Sequence, residues 1–242
     1  MSVTILPLDG LPEVGAGADI AELVAGARAL EDGDVVVLAQ KIVSKAEGRI
    51  VRLDAVEPSQ RARELAGQDA DARHLETILR EAVRVVRMRG ALVIAETRHG
   101  FVCASAGVDA SNAPERDTLV LLPDDPDASA RRIRSRIREL TGRSVAVIVS
   151  DSFGRAWRQG TTDVAIGAAG LAPLLDLRGT KDAAGYELRS TQIAVADELA
   201  GAAELVMGKA AGVPGAVIRG YRASGEGLAR ELVMPADRDL FR

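Results

Sequence analysis

Apolar residues along this chain gather in short β-branched runs, separated by stretches in which they recur every three or four positions. The runs DVVVLAQ (34–40), ALVIAET (91–97), FVCASAG (101–107), TLVLLP (118–123) and SVAVIVSD (144–151) read as strands, as do TDVAIGAAG (162–170) and GAVIRGY (215–221). Helical spacing predicts helices over Asp19–Leu30, with Asp19 as cap, and over Pro58–Gly67, Ala72–Val86, Asp127–Thr141 and Thr191–Ala202. In ETRHGFVCAS two strands flank a tight Arg98-His99-Gly100 connection, which predicts a hairpin. Hairpins mixed with helical crossovers point to an α+β protein with mixed sheets rather than a doubly wound parallel sheet. No solenoid period, low-complexity tract or linker interrupts the 242 residues, so any two lobes must interleave.

Composition narrows the setting. Hydrophobic residues make up 47% and charged residues 27%, with no apolar run near the roughly 20 residues needed to span a bilayer. The start MSVTILPLDG has no basic region followed by a long apolar stretch, so no signal peptide is expected, and a cytoplasmic location is. Cys103 is the only cysteine, which excludes an internal disulfide and a thiolate-rich zinc site. A net charge of −4 gives no overall field that would collect nucleic acid. The segment DASARRIRSRIREL (127–140) is locally basic, but it contains no stacking aromatic and reads as an amphipathic helix with a solvated face.

Three strands are followed by similar polar clusters: AQKIVSKAEGR after 34–40, SAGVDASN after 101–107, and SDSFGR after 144–151. Sites concentrate just past strand ends, where a rigid sheet aims side chains that a loop exposes. Oxygen donors there suit Mg²⁺ or Mn²⁺ rather than zinc, making Asp109 and Asp151 the candidate metal ligands. Lys45, Arg155 and Arg158 would neutralise phosphate oxygens. Plainer roles compete: an Asx-turn at Asp109, a helix N-cap at Asp151-Ser152, and a solvated helix end at Lys45 and Glu47. Cys103 reads as a small core residue, His99, in a turn, as the more plausible functional histidine of the two, and Trp157 as either core or a stacking surface. GAAELVMGKA (201–210) lacks the glycine spacing and Ser/Thr of a P-loop, and GAGADI (15–20) lacks the third glycine of a dinucleotide fingerprint.

Four longer motifs go further. SKAEGR (44–49), GFVCASAGVDASN (100–112), SDSFGRAWRQGTTDVAIGAAG (150–170) and VMGKAAGVPGAVIRG (206–220) occur in this order, and together they resemble the coenzyme F420 γ-glutamyl ligase family from LPLDGLPEV onward. The resemblance implies GTP-dependent addition of L-glutamate to a deazaflavin coenzyme precursor, F420-0, and then of further γ-linked glutamates through an acyl phosphate. It also implies two Mn²⁺ or Mg²⁺ ions, a monovalent cation such as K⁺, and a homodimer. The implied fold is two interleaved lobes, about 1–85 plus 205–242 and about 86–204, without the nitroreductase-like domain fused in some members.

Carried over motif by motif, the resemblance places Gly10, Leu11, Pro12, Glu13, Gln40, Lys45, Asn112, Met207, Gly208 and Lys209 at the nucleotide. It places Asp109 and Asp151 at a first metal and Ser152 at a second, with Lys45, Asp109 and Asp151 as the catalytic set and Arg155 and Arg158 at the anionic substrate. Two positions depart from the family pattern. Gln40 stands where a serine is expected, and Lys209 stands where some members carry a Gln or Glu metal ligand, a role closed to a protonated lysine. A metal-dependent GTP phosphohydrolase and a non-catalytic nucleotide-binding protein are the competing readings of the same acidic cluster.

Overall fold

The computed structural model describes residues 2–68 and 70–240. Along the chain, β1 (Thr4–Pro7) leads to α1 (Ile20–Ala27), β2 (Val35–Ala39), α2 (Gln40–Ala46) and β3 (Ile50–Arg52). Helices α3 (Gln60–Ala66) and α4 (Ala72–Glu81) run into a meander of β4 (Ala82–Arg89), β5 (Leu92–Thr97) and β6 (Val102–Ala104). After β7 (Thr118–Val120) come α5 (Pro126–Thr141) and the long pair β8 (Ala146–Arg155) and β9 (Arg158–Ala169). Short strands β10 (Leu175–Asp176) and β11 (Gln192–Ile193) precede α6 (Val195–Met207) and β12 (Gly215–Arg219).

The fold is α+β. Its main sheet has five strands in the order β1-β12-β2-β8-β9, and only the β2–β8 pair is parallel. This sheet takes strands from both of the segments expected to form separate lobes. Helices α1 and α5 cover one face, packing Ile20, Val24, Ile133 and Ile137 on Val36, Leu38, Val147 and Val149. Helix α6 covers the other, with Leu199, Ala203 and Met207 on Val35, Val37, Ala146 and Ile148. Burial on both faces is why β2 and β8 read as continuous apolar runs rather than alternating ones. The meander, the β3–β7 pair, α3 and α4 share a second core built on Leu53, Leu75, Ile78, Val93, Ala95 and Leu119.

Helix α5 meets the sheet through its first turn. Asp125 caps it by accepting from the Ala128 amide, and the buried Asp127 accepts from the amides of Ala168 (2.9 Å) and Ala229 (2.7 Å). The approach is so close that a Cβ on Gly167 would lie 2.2 Å from the Pro126 carbonyl oxygen. Gly167→Ala is therefore expected to destabilise the fold by about 1–3 kcal/mol, read as a lower urea midpoint at unchanged slope. An unchanged midpoint would show that α5 can recede without loss. The basic outer face of α5 finds acidic partners nearby: Arg132 pairs with Glu47, Arg134 with Glu226, and Arg136 with Asp19 and Glu139.

The structure departs from the pattern-based reading in four places. AQKIVSKA is a helix that starts as β2 ends, and it turns Gln40, Ser44 and Lys45 inward. The helix expected to reach Val86 stops at Glu81, because AVRVVRMR extends as β4 and pairs with β5 in a bulged antiparallel register. The last helix lies later than expected, ending at Met207. Finally, Asp151 and Ser152 neither end a strand nor cap a helix. Strand β2 stops pairing at Ser150, but β8 continues with β9 as a two-stranded ribbon to a turn at Ala156-Trp157.

Candidate functional site

A cleft of about 620 Å³ opens where the sheet narrows from five strands to this ribbon. Its walls are the loop 11–14, the first residues of α2, the loop 112–114, the ribbon residues Ser150, Asp151, Ser152 and Asp163, and the end of α6 with the loop that follows. Gly208, at φ +56°, turns the chain out of α6 into that wall. Leu11, Pro12, Glu13, Gln40, Lys45, Asn112, Asp151, Ser152, Met207, Gly208 and Lys209, scattered over nearly the whole chain, thus meet on one cavity. Gly10 and Asp109 stand beside it, the latter reaching it through its partners. Arg155 and Arg158 do not line it: they face each other across the ribbon turn, exposed to solvent.

Two lysines one helical turn apart on α2 approach two different acids. Lys41 Nζ lies 2.6 Å from Asp109 Oδ2 and donates to Ser111 Oγ at 2.6 Å. Lys45, 5% exposed, pairs with the outlying Glu13 carboxylate. Asp109 does make an Asx-turn, its Oδ1 accepting from the Ser111 amide at 2.7 Å, while Oδ2 meets Lys41 and lies 4.0 Å from Lys209 Nζ. Burial works to raise the Asp109 pKa, but the hydrogen bonds from Lys41 and Ser111 outweigh it and hold the carboxyl below its ordinary value. The Asn112 amide, at φ +54°, reaches the Lys209 carbonyl at 3.5 Å and so links two walls of the cleft.

Alternation along the ribbon separates its acids. Ser150, Ser152 and Asp163 share the face that covers α6, whereas Asp151 shares its face with Phe153 and Val164, on the side of Phe101 and Cys103. Asp151 is half-buried and its carboxyl is pushed up to about 7. Burial is the main cause, helped by the charges of Asp163 and Asp109 and opposed by the Ser152 amide and Lys41. Glu204, on the last turn of α6, is raised by burial and by Asp163 against the pull of Lys209. Burial, with Asp151 adding to it, drives the Cys103 thiol up to about 12, so it is a core residue and not a nucleophile. His99 is also structural, its Nε2 bridging the carbonyls of Pro123 and Asp124 and its ring stacked on Phe101. Trp157 is neither core nor cleft: it is 81% exposed at the ribbon tip.

Sequence reasoning missed Lys41, Asp163, Ser150 and Glu204. Lys41 could have been found as the i−4 partner of Lys45 had α2 been recognised as a helix. The donors around the ribbon are all carboxylate or hydroxyl oxygens, which fits a hard divalent cation and not zinc. Among the described residues no three His, Cys, Asp or Glu side chains form a cage for one.

The sequence has counterparts among known proteins. The family model described as F420-0:Gamma-glutamyl ligase matches residues 10–220. The chain belongs to the F420-0:gamma-glutamyl ligase family. Proteins named coenzyme F420:L-glutamate ligase are similar throughout: that of Methanothermobacter thermautotrophicus is 44% identical over 252 residues, covering all of both chains. That of Methanopyrus kandleri is 48% identical over 95% of this chain and 94% of its own, and that of Methanocaldococcus jannaschii 43% over 94% and 92%. The matched segment of this family member contains every residue that lines the cleft, from Leu11 to Pro214. No helix among the described residues is long and apolar enough to cross a membrane.

Proposed function

We propose that this chain is a coenzyme F420:L-glutamate ligase that uses GTP to join L-glutamate, by an amide bond, to the carboxylate of a deazaflavin precursor, and then adds further γ-linked glutamates. The observation that carries the reading is the convergence, in a member of this family, of Lys41, Lys45, Lys209 and Asp151 on one cleft, with Asp109 beside it on Lys41. A carboxylate is a poor electrophile, so its condensation with an amine needs activation. Attack of the precursor carboxylate on the γ-phosphorus of GTP releases GDP and leaves an acyl phosphate. The glutamate amine then attacks the acyl carbon, loses its proton and expels phosphate. Phosphoryl transfer of this kind asks mainly for positioning and charge neutralisation.

Lys45 and Lys209 are the cations placed to meet phosphate oxygens, and Lys41 orients Asp109. Asp109, Asp151 and Ser152 are the proposed holders of Mn²⁺ or Mg²⁺, which would neutralise phosphate charge and take the rest of its shell from phosphate and water. Lys209 lies toward Asp109, so in this chain it serves as a cation and not as a ligand of a second ion. Arg155 and Arg158, outside the cleft, are assigned to the part of the anionic precursor that extends along the ribbon. A monovalent cation such as K⁺ and a homodimer belong to the same reading.

The test is mass spectrometry of the deazaflavin after incubation with precursor, L-glutamate, GTP and Mn²⁺, with GDP measured alongside. Mass gains in glutamyl steps that require GTP are expected. GDP released without glutamylation would replace this reading with a phosphohydrolase, and the absence of both products would favour a binding protein.

A further inference from the structure

Asp163 is buried in the ribbon, 4% exposed, and lies opposite Ser152 in the β8–β9 register. One of its oxygens accepts from the Ser150 hydroxyl at 2.8 Å and the other from the Ser152 hydroxyl at 2.7 Å. Among the described residues no lysine or arginine forms an ion pair with it. Two neutral hydroxyls are weak compensation for a buried carboxylate, and an apolar pair of similar volume would serve the stability of the ribbon better.

The backbone is shaped to make this pairing. The register runs Val149↔Gly167 and then Ser150↔Ala165, so β9 contributes one extra residue at a bulge. Without it, Asp163 would oppose Phe153, on the other face of the ribbon, and could not reach either serine.

Each hydroxyl has one proton and two lone pairs. When Asp163 takes both protons, the serines have only lone pairs left to offer. Both serines border the cleft, but Ser150 is completely buried and only Ser152 is partly exposed to it. We infer that Asp163 is a positioning residue: it turns the Ser152 proton away from the cleft and fixes the oxygen as an acceptor for the divalent cation that accompanies the nucleotide. The inference rests on the proposed function for the presence of that cation. Its logic is that of the outer-shell partners that orient metal ligands elsewhere, whose removal typically costs about 10–100-fold in metal affinity.

The experiment is titration of the purified chain with Mn²⁺ alone, followed by loss of the free-ion electron paramagnetic resonance signal, for wild type, Asp163→Asn, Ser152→Ala and the double variant, each with its melting temperature. An asparagine amide donates as well as accepts, so at least one hydroxyl must reverse. Asp163→Asn is expected to weaken Mn²⁺ binding about tenfold or more, with a melting temperature that is unchanged or higher. Because Asp163 acts through Ser152, the double variant should bind no more weakly than Ser152→Ala. Unchanged Mn²⁺ binding in Asp163→Asn, or wild-type binding in Ser152→Ala whatever the other variants do, would overturn the inference, as would a wild-type chain that binds no Mn²⁺. A wild-type chain that makes no glutamylated product, yet binds Mn²⁺ in a way Asp163→Asn weakens, sinks the ligase reading and leaves this one standing. Normal glutamylation with Mn²⁺ binding indifferent to Asp163 does the reverse.

Discussion

Asp151→Asn is expected to abolish glutamate-dependent GDP formation, by about a thousandfold or more, while making the metal-free protein more stable at pH 8. Both effects follow from where β8 places this carboxyl. It is half-buried, it shares the cleft with Asp163 and feels the charge of Asp109 beside it, and it is pushed up to about 7. A folded-state value above the unfolded one means that the native protein binds the extra proton between about pH 4 and pH 7. The contribution of Asp151 to stability is thus full below about pH 4, falls as pH rises to about 7, and stays unfavourable above it. A tenfold change in proton affinity corresponds to about 1.4 kcal/mol. Allowing for relaxation and water entry, removal of the charge should gain roughly 2 kcal/mol at pH 8, or about 4–8 °C in melting temperature.

Urea melts in EDTA at pH 5 and pH 8 should show the advantage of the variant growing with pH. The same negative charge is what a bound divalent cation would need, so the gain in stability comes with a loss of function. A variant that is less stable than wild type at pH 8, or that keeps a tenth of its turnover, would remove Asp151 from the proposed chemistry.

That conflict also explains how far the sequence could be read. The strands at 34–40 and 144–151 were legible because both faces of the sheet are covered and apolar residues accumulate without a break. Legibility fails wherever polar side chains turn inward to build the cleft. In α2, Gln40, Ser44 and Lys45 are buried and reverse the usual helical pattern, so of this seven-residue helix only the end at Lys45 and Glu47 was legible. Along the ribbon, Ser150, Ser152 and Asp163 occupy positions that a core strand would give to apolar residues, so β8 reads as ending at Asp151 when it runs on to Arg155. The boundary between α4 and β4 was lost for a different reason: the valines and arginines from Arg80 to Arg87 satisfy a period of about 3.6 as well as a period of about 2, and only pairing with β5 decides between them. The long motifs identified the family and most of the cleft, but the role of Asp163 depends on a bulge in the register that no spacing announces.

Lys45→Met is expected to lower kcat/KM for GTP by about 10²–10³-fold, the size of effect seen when one preorganised donor to a developing charge is lost, with the fold intact. The methionine keeps the apolar stem packed where α2 meets the sheet, so the change removes little besides the ammonium. Only 5% of Lys45 is exposed, whereas its partner Glu13 is 73% exposed in its side chain, and an exposed partner contributes little because water screens it. The ammonium therefore faces the cleft from a desolvated position with a weakly held counter-ion, which a nucleotide phosphate can displace. Glu13→Ala should in consequence change kcat/KM for GTP by less than about tenfold, since it removes a competitor and not the cation. The two variants separate a nucleotide contact from a structural ion pair. Similar losses in both, accompanied by lower melting temperatures, would mean that the pair merely pins the loop 11–14 to α2. A loss confined to Lys45→Met, and expressed in GTP rather than glutamate dependence, would place that ammonium on the nucleotide.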